Sequence, residues 1–390
     1  MIVTALTLAA CGGNHKTERV EEQVVEADID DEETIVAEDA EGFTVTYLKN
    51  GVRLVDIHDP QADTDEEGDT DRSDGRQMPH EYHLALVDRH SQERVPEGYT
   101  RIEVPVRRVI CMTALQLSNF TVLDAHDNIV GLTGTKNLYD EDILRRVEQG
   151  SITTIGMEGN FDTEKVMAAN PDIIMISPFK RGGYEAVKET GITLVPHLGY
   201  KELTPLGQAE WMKYVAMLIG KEREANRAYH AIKKRYDELR ALTSAVERRP
   251  VVMSGEMHGG NWFAIGGRNF LAQMFYDAGA QYVLADDAHS GGIYVDFEKM
   301  YASAANADYW RILNSFPGEF SYDALRASDA RNADFKAFRD KRVIYCNMRQ
   351  TPYYEISPVE PDVMLADLVH IFHPGLLPPD YEPTFYRLLE

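Results

Sequence analysis

The chain has 390 residues, 44% of them hydrophobic, and a formal net charge of −24. This length exceeds what a single hydrophobic core usually holds, so two domains or lobes are expected, and the composition excludes a fibrous or wholly disordered protein. The sequence has neither an internal apolar run of the roughly 18 to 20 residues that a membrane span requires nor a basic stripe that would follow a phosphate backbone, so nucleic acid is not an expected partner.

The first residues form a short signal-like segment that ends at a cysteine. Residues 1–10 are apolar apart from two threonines, and Leu8-Ala9-Ala10 precede Cys11. Small residues in these positions are typical of a signal-peptide cleavage site. The pattern resembles the bacterial lipobox, although the segment has no Lys or Arg. The resemblance implies that Cys11 is lipidated and that the protein is anchored to a membrane of the cell envelope, on its periplasmic face.

Two acidic tracts carry most of the negative charge. Residues 18–41 hold twelve acidic groups against Arg19, and residues 59–75 hold eight against Arg72. Such tracts repel themselves and favour a solvated, extended chain. We therefore expect residues 11–41 to form an acidic tether between the membrane and the folded body.

Residues 42–105 are predicted to form a β-rich extension. Strand-like residues 43–48 and 52–57 are joined by Asn50-Gly51, a dipeptide that suits a type I′ hairpin turn. A further strand is expected at 82–87. The extension is too small to be expected to fold as an independent domain.

Short apolar strands alternate with helical patterns from residue 106 onward. Near-continuous apolar runs of this kind predict parallel sheets covered on both faces. We assign residues 106–205 to an N-terminal α/β lobe, 206–247 to a connecting helical segment and 248–390 to a C-terminal α/β lobe. The predicted strands are 109–112, 129–132, 152–155, 173–176 and 192–195 in the first lobe and 251–253, 262–265, 282–284 and 343–345 in the second.

A weak internal repeat links the two halves. The segments 162–172 and 296–308 each begin with an Asp N-cap and end in Pro-Asp or Ala-Asp. Each also places a glutamate, Glu164 or Glu298, in the first helical turn. A carboxylate in that position stabilises the helix dipole wherever it occurs, so the pair has a purely structural interpretation as well as a functional one.

Taken in order, these features resemble the helical-backbone, or class III, periplasmic binding proteins. The resemblance covers residues 106 to about 375 and rests on the two lobes, the long helical segment, and the stretches EKVMAANPDIIMIS, NWFAIGGRNFLAQMFYDAGAQYV and PDVMLADLVHIFHP. The β-rich extension resembles forms common in Bacteroidetes-type bacteria. The implied fold is α/β, with two doubly wound lobes joined by one long α-helix.

The resemblance also implies a function. Proteins of this class capture a ferric siderophore, haem or cobalamin in the cleft between the lobes and deliver it to the permease dimer of an ABC importer. The chain is then a monomeric lipoprotein that docks on the permease through Glu164 and Glu298. Its ligand is a metal complex, and no resident cofactor is expected.

Ligand-binding residues are expected in loops at the carboxyl ends of the strands, where open α/β sheets bind ligands. Two arginines are expected to pair with ligand carboxylates, and four aromatic side chains to stack on a flat ligand. Trp262 suits a core position equally well, and His258 suits plain turn chemistry as well as ligation of haem iron. The candidates are Arg181, Arg349, Tyr184, Trp262, Tyr353, Tyr354, Met112, Lys136, Tyr139, Met257, His258, His289 and Ser290.

Two other classes of protein remain as alternatives. An enzyme is the first, although the sequence contains no GxSxG, HExxH, GxGxxG or phosphate-loop pattern and residues 80–83 are one residue short of the zinc-protease motif. A receptor for bare zinc or manganese is the second. Such a receptor needs three or four His and carboxylate ligands that converge in the cleft, where only His258 and His289 are expected.

Overall fold

The computed structural model describes residues 24–25, 31–62, 81–157, 160–178 and 184–390. The predicted lipidation site Cys11 and the predicted ligand-binding residue Arg181 lie outside the described residues. Within these ranges, no helix combines the length and the apolar character needed to cross a membrane.

The N-terminal extension is a five-stranded sheet whose strands follow one another in chain order. The strands are β1 (Val24–Val25), β2 (Phe43–Leu48), β3 (Arg53–His58), β4 (Glu81–Asp88) and β5 (Thr100–Val104). All neighbours are antiparallel except β4 and β5. Phe43 of this sheet packs against Trp211 and Tyr214 in the core of the following lobe. The extension therefore shares a core with that lobe.

The predicted hairpin between β2 and β3 is present, but its turn differs from the prediction. A type I′ turn needs positive φ at both central residues, whereas Gly51 has a φ of 83° and Asn50 has no positive φ. The N–H of Gly51 donates to the carbonyl of Leu48, and the N–H of Leu48 donates to the carbonyl of Val52, both at 2.9 Å. These bonds define a three-residue loop, a type I turn followed by a left-handed glycine.

The N-terminal lobe is built on a parallel sheet in the order β12-β11-β6-β7-β8. Each of the five strands predicted for this lobe is confirmed. The strands are β6 (Val109–Cys111), β7 (Ile129–Leu132), β8 (Thr153–Thr154), the short hairpin β9 (Gly156–Met157) and β10 (Asn160–Phe161), β11 (Ile173–Ile176) and β12 (Thr193–Pro196). The helices are α1 (Ala114–Val122), α2 (Glu141–Glu148), α3 (Thr163–Ala168) and α4 (Glu185–Lys188).

Two consecutive helices, α5 (Pro205–Ile219) and α6 (Glu222–Ser244), connect the lobes. They are separated at Gly220, whose φ of 73° ends α5 in the left-handed conformation. At about 1.5 Å per residue, the 23 residues of α6 span roughly 35 Å. Tyr229 of α6 packs in the core of the N-terminal lobe and Tyr236 in that of the C-terminal lobe. Helices α5 and α6 thus cover most of the predicted connecting segment, and α6 is the helix that joins the two cores.

Residues 31–42 correct the expectation of a solvated tether. Glu210 on α5 is fully buried and accepts the backbone N–H groups of residues 38–40 at distances of 2.7 to 2.9 Å. Lys213, buried beside it, donates to the Glu210 carboxylate at 2.7 Å. Ile35 is 1% exposed. This acidic stretch is held in place because its backbone N–H groups, and not its carboxylates, meet the buried acid.

The C-terminal lobe has a main sheet in the order β16-β13-β18-β19-β20 and a small antiparallel sheet in the order β14-β15-β17. The main sheet is parallel except for β20. The strands are β13 (Val251–Ser254), β14 (Glu256–His258), β15 (Asn261–Ile265), β16 (Gln281–Tyr282), β17 (Gly292–Val295), β18 (Tyr309–Asn314), β19 (Val343–Asn347) and β20 (Arg387–Leu388). The helices are α7 (Phe270–Asp277), α8 (Phe297–Ala304), α9 (Tyr322–Ser328), α10 (Lys336–Arg339), α11 (Tyr353–Ile356) and α12 (Pro361–Phe372).

Two of the differences between this lobe and the sequence prediction concern the site. The central strand β18 was not predicted, because Arg311 interrupts its apolar run. Residues 262–265 form a strand as predicted, but β15 belongs to the small sheet, which follows β13 in the chain and provides one wall of the site described below.

Candidate ligand-binding site

A cavity of about 430 Å³ lies between the two lobes. The N-terminal lobe contributes Leu115 of α1 and Tyr200, α5 contributes Gln208, and the C-terminal lobe contributes the rest. Several of the lining residues follow or end strands β13, β18 and β19, as expected for an open α/β sheet. The volume falls within the range of organic-ligand sites, roughly 300 to 1,000 Å³.

The small sheet forms an aromatic wall of this cavity. Alternation along β15 turns Trp262 and Ala264 into the core and leaves Phe263 on the opposite face, where it lines the cavity. Phe263 is paired across the sheet with Tyr294 of β17, and the two rings are 5.2 Å apart. The ring of His258 lies 6.3 Å from that of Tyr294. The exposed rings of Tyr294 and His258 thus extend this aromatic surface from Phe263 beyond the cavity lining.

Arg311 of β18 provides a buried positive charge at the same cavity. Its Nε and Nη2 donate to the hydroxyl of Tyr386 at 3.0 and 2.5 Å, and Nη2 lies 3.5 Å from the hydroxyl of Tyr353. Burial raises the pKa of Tyr386 well above its ordinary value, so that hydroxyl stays neutral. The two tyrosines hold the guanidinium in place without neutralising it.

Ser254 and Glu256 complete the polar lining on the side of the small sheet. Ser254 is the cross-strand partner of Arg311, and among the described residues its buried hydroxyl has no hydrogen-bond partner. Glu256 accepts a hydrogen bond from Nδ2 of Asn314 at 3.1 Å. Burial raises the pKa of Glu256, and the hydrogen bond from Asn314 and the charge of Arg311 only partly offset this effect.

Two of the predicted ligand residues line the cavity. Tyr353 and Tyr354, the first residues of α11, both contribute to its wall. Tyr353 is buried with its hydroxyl next to Arg311, whereas Tyr354 is 45% exposed and its ring meets that of Tyr353 edge-on at 5.3 Å. Tyr354 is thus the more accessible of the two to a flat ligand.

Four other candidates pack in the protein core, which corrects their assignment to the ligand. Trp262 is fully buried between Trp310 and Phe335, and its Nε1 donates to the carbonyl of Ser254. The other three side chains also pack against apolar neighbours. Met112 and Tyr184 belong to a core cluster of the N-terminal lobe, and Met257 packs against one of the C-terminal lobe.

Another group of candidates lies at the surface, away from the cavity lining. The side chains of four of them are exposed. His289 pairs with Asp287 at 2.9 Å, while Ser290 is buried and its carbonyl accepts a bond from Nδ2 of Asn269, a cavity residue. The exposed candidates are Lys136, His258, His289 and Arg349.

Tyr139 lies at a separate contact between the lobes. Its backbone N–H donates to the carboxylate of Glu355 at 2.8 Å, and a second cavity of about 320 Å³ is lined by Tyr139, Pro352 and Glu355. The structure therefore places Tyr139 at an inter-lobe contact and not in the main cavity.

The internal repeat is the sequence signal that would have located Arg311. Asp172 and Asp308 occupy equivalent positions. The backbone N–H of Asp172 donates to the carbonyl of Arg108, and that of Asp308 to the carbonyl of Val251, in each case at the start of the first strand of the lobe. Arg311 and Met175 each lie three residues after these aspartates, so Arg311 is the counterpart of Met175, which is buried. A charged residue at a position that the other half fills with methionine marks a specialised site.

The two glutamates of the repeat occupy matching positions. Glu164 and Glu298 are each the second residue of a helix, α3 and α8, and both side chains are exposed. Asp162 caps α3 by accepting the N–H of Lys165, whereas the side chain of Asp296 makes no such bond to α8. Neither glutamate touches the cavity lining.

Comparison with known proteins agrees with this architecture. An uncharacterised lipoprotein of Methanocaldococcus jannaschii is 25% identical over 300 residues, which make up 73% of this chain and 69% of the relative. A periplasmic haem-binding protein from Pseudomonas aeruginosa has a TM-score of 0.55 at 18% identity, with 72% of this chain and 97% of that chain covered. An ABC-type Fe³⁺-hydroxamate transport protein from Saccharomonospora viridis has a TM-score of 0.54 at 16% identity, with 69% and 94% covered. These two likenesses show a shared fold.

The family model of the periplasmic binding proteins matches residues 109–349, more than half of the chain. The match spans both lobes and the helix that joins them. The protein therefore belongs to the periplasmic binding protein family, in its class III form, and is a substrate-binding protein of the ABC transporter type.

Proposed function

We propose that the protein captures an organic metal complex, a ferric siderophore or haem, in the inter-lobe cavity and delivers it to an ABC permease. The observation that carries this proposal is the cavity itself, which combines an aromatic wall with a buried guanidinium. Such a lining suits a flat or partly apolar ligand that bears acidic groups. Related folds named for haem and for Fe³⁺-hydroxamate transport support an iron complex.

A receptor for a bare zinc or manganese ion is the second candidate, and the described lining does not favour it. Glu256 is the one carboxylate there, and the lining includes neither His nor Cys. Across the described ranges, no three His, Cys, Asp or Glu side chains are grouped so as to hold a metal ion. A bare ion needs three or four such ligands. A complex that brings its own metal ligands is therefore the better match.

Delivery requires a contact with the permease, and we assign it to Glu164 and Glu298. Both carboxylates are exposed at the beginnings of equivalent helices, one in each lobe. A pair of acidic groups placed in this way matches a permease dimer that presents one basic patch to each lobe. Lys165 and Lys299 follow the two glutamates and pair with the capping aspartates, so they leave the glutamates available.

Cys11 is the proposed lipid anchor. The relatives from Methanocaldococcus that are named lipoproteins support a location outside the cytoplasm and in association with a membrane. Because residues 31–42 dock on the N-terminal lobe, the proposed tether is shorter than the acidic composition suggested.

The proposal is tested by a titration of intrinsic fluorescence. Trp262 lies directly behind the cavity wall, with its Nε1 bonded to the carbonyl of Ser254, so a ligand that absorbs in the visible range should quench its emission. The ligands are haem, cobalamin, a ferric hydroxamate and a ferric catecholate, with zinc and manganese ions as controls. N-acetyltryptophanamide corrects for the inner-filter effect.

Saturable quenching by one metal complex, weakened in Tyr354→Ala, is the expected result. Tyr276→Ala provides the matched control, because Tyr276 is an exposed tyrosine that does not line the cavity. Saturable binding of free zinc or manganese alone would overturn the proposal in favour of a metal-ion receptor.

A further inference from the structure

Arg311 is a buried cation that forms no ion pair with any described residue. It is 6% exposed, and its bonds go to the hydroxyls of Tyr386 and Tyr353. In the part of the chain that the structure describes, no carboxylate oxygen lies within 4.0 Å of the guanidinium, and Nη1 donates to none of the described residues. Burial of a charged group is strongly unfavourable unless an oppositely charged, hydrogen-bonded partner compensates for the lost hydration.

Ser254 provides an independent sign of an incomplete site. It is paired with Arg311 across the parallel strands β13 and β18, so the two side chains emerge side by side. Its Oγ is buried and has no partner among the described residues, although the residue lines the cavity. Buried polar groups in native proteins are nearly always hydrogen-bonded, so this hydroxyl points to a ligand.

The N-terminal lobe shows what the same position contains when no ligand group is needed. There, Met175 of β11 is paired with Cys111 of β6 in the register that Arg311 and Ser254 share. Both Met175 and Cys111 are buried apolar residues. The fold therefore does not require polar groups at this position, and their presence in the C-terminal lobe calls for a function.

We propose that Arg311 and Ser254 form an anion subsite that binds a carboxylate, or an oxyanion of similar size, on the ligand. The inference rests on the proposed function and narrows it to acidic metal complexes. Arg311 Nη1 and Ser254 Oγ are both donors, which a carboxylate accepts through its two oxygens. Glu256 lines the same cavity and accepts from Asn314, so a ligand with a hydroxyl or N–H donor beside its acid would satisfy both charges.

The experiment compares two probes that differ only in acidity. Iron protoporphyrin has two carboxylates, and its dimethyl ester has none; ferric citrate and molybdate are added as a second carboxylate complex and as a free oxyanion. Dissociation constants are measured by calorimetry for the whole protein and for Arg311→Gln, Arg311→Lys and Ser254→Ala. Arg240→Gln is the matched control, because it removes an exposed arginine from α6.

We expect Arg311→Gln to weaken binding of the carboxylate complex about 10- to 100-fold and Ser254→Ala to weaken it several-fold, with the ester unaffected. Arg311→Lys, which keeps the charge but loses the planar fork, should lie between wild type and Arg311→Gln. If Arg311→Gln does not fold, Ser254→Ala becomes the test of the subsite, because the Ser254 hydroxyl makes no hydrogen bond to any described residue.

Two results would overturn the subsite. One is equal binding of acid and ester by the wild-type protein, and the other is an equal loss for both probes in the substituted proteins. If a neutral complex binds tightly and independently of Arg311, the proposed function stands and the subsite does not. If molybdate is the one probe that binds, and it binds the wild-type protein but not Arg311→Gln, the anion subsite is supported and the proposed capture of an organic metal complex is wrong. If no probe binds, both proposals are wrong.

Discussion

Glu355 in the C-terminal lobe accepts the backbone N–H of Asp140 in the N-terminal lobe at 3.0 Å, and that of Tyr139 at 2.8 Å. Burial raises the pKa of Glu355, while these two N–H groups oppose the shift. Asp140 in turn caps α2 by accepting the N–H of Ile143. One carboxylate thus ties the start of a helix in one lobe to the short helix α11 of the other, next to the ligand cavity.

Glu355→Gln should loosen this contact. A glutamine has a single acceptor oxygen, and its amide N–H₂ would face the second backbone N–H. We expect a loss of about 1 to 3 kcal/mol in the free energy of unfolding, measured by chemical denaturation. Hydrogen exchange at residues 139 and 140 should become faster. Glu319→Gln, at an exposed position, is the control, and exchange that does not change in Glu355→Gln would contradict the assigned role.

Tyr294→Ala should weaken ligand binding without affecting stability. Its ring lies 5.2 Å from that of Phe263 on the aromatic wall, and the residue is 62% exposed, so few core contacts are lost. Aromatic contacts contribute about 0.5 to 1.5 kcal/mol, which corresponds to roughly a 2- to 12-fold change in the dissociation constant. Tyr294→Phe should bind as the wild type does. Unchanged affinity in Tyr294→Ala would limit the ligand to the enclosed part of the cavity.

Charge reversal at both glutamates of the repeat should abolish uptake and leave ligand affinity unchanged. Glu164→Lys with Glu298→Lys would present like charges to the basic patches of a permease, a contact that costs several kcal/mol. Uptake of the ligand is measured in cells that carry the variant and is compared with uptake in cells that carry the wild-type protein. Glu148→Lys with Glu319→Lys reverses two exposed charges elsewhere. Normal uptake by the first variant would show that the permease is bound by another surface.

Acid should destabilise the protein through His197. Burial lowers the pKa of His197 to about 3, and its Nε2 lies 3.3 Å from Nδ2 of Asn119. The unfolded state takes up a proton near pH 6.5 and the folded state does not, so the contribution is complete above pH 6.5 and is lost as the pH falls toward 3. It amounts to roughly 5 kcal/mol at most.

Replacement of His197 by glutamine isolates this effect, because glutamine does not titrate. The free energy of unfolding of His197→Gln should fall less steeply than that of the wild type between pH 6.5 and 4. The slopes are compared by denaturation at several pH values. Parallel slopes would show that His197 takes up its proton in the folded state as it does in the unfolded state, which would contradict the prediction.

The parts of the fold that the sequence predicted are those encoded by local pattern. The strands of the N-terminal lobe are apolar runs such as 173–176, bounded by helical segments, and a buried parallel strand needs no more than that. The connecting helix follows from 27 residues without Gly or Pro, from Lys221 to Glu247. Tyr353 and Tyr354, which follow the carboxyl end of a predicted strand, line the cavity.

The chemistry of the site depended on contacts that no local pattern contains. Whether Trp262 stacks on a ligand or packs in the core is decided by which face of β15 meets Trp310, and both outcomes fit the same alternation. Residues 31–42 are ordered by Glu210, about 170 positions away. Arg311 and Ser254 lie side by side only because β13 and β18 are neighbours. Sequence patterns thus determined which segments are strands and helices, since this depends on nearby residues, whereas tertiary packing decided which side chains face the cavity and which charges lack partners.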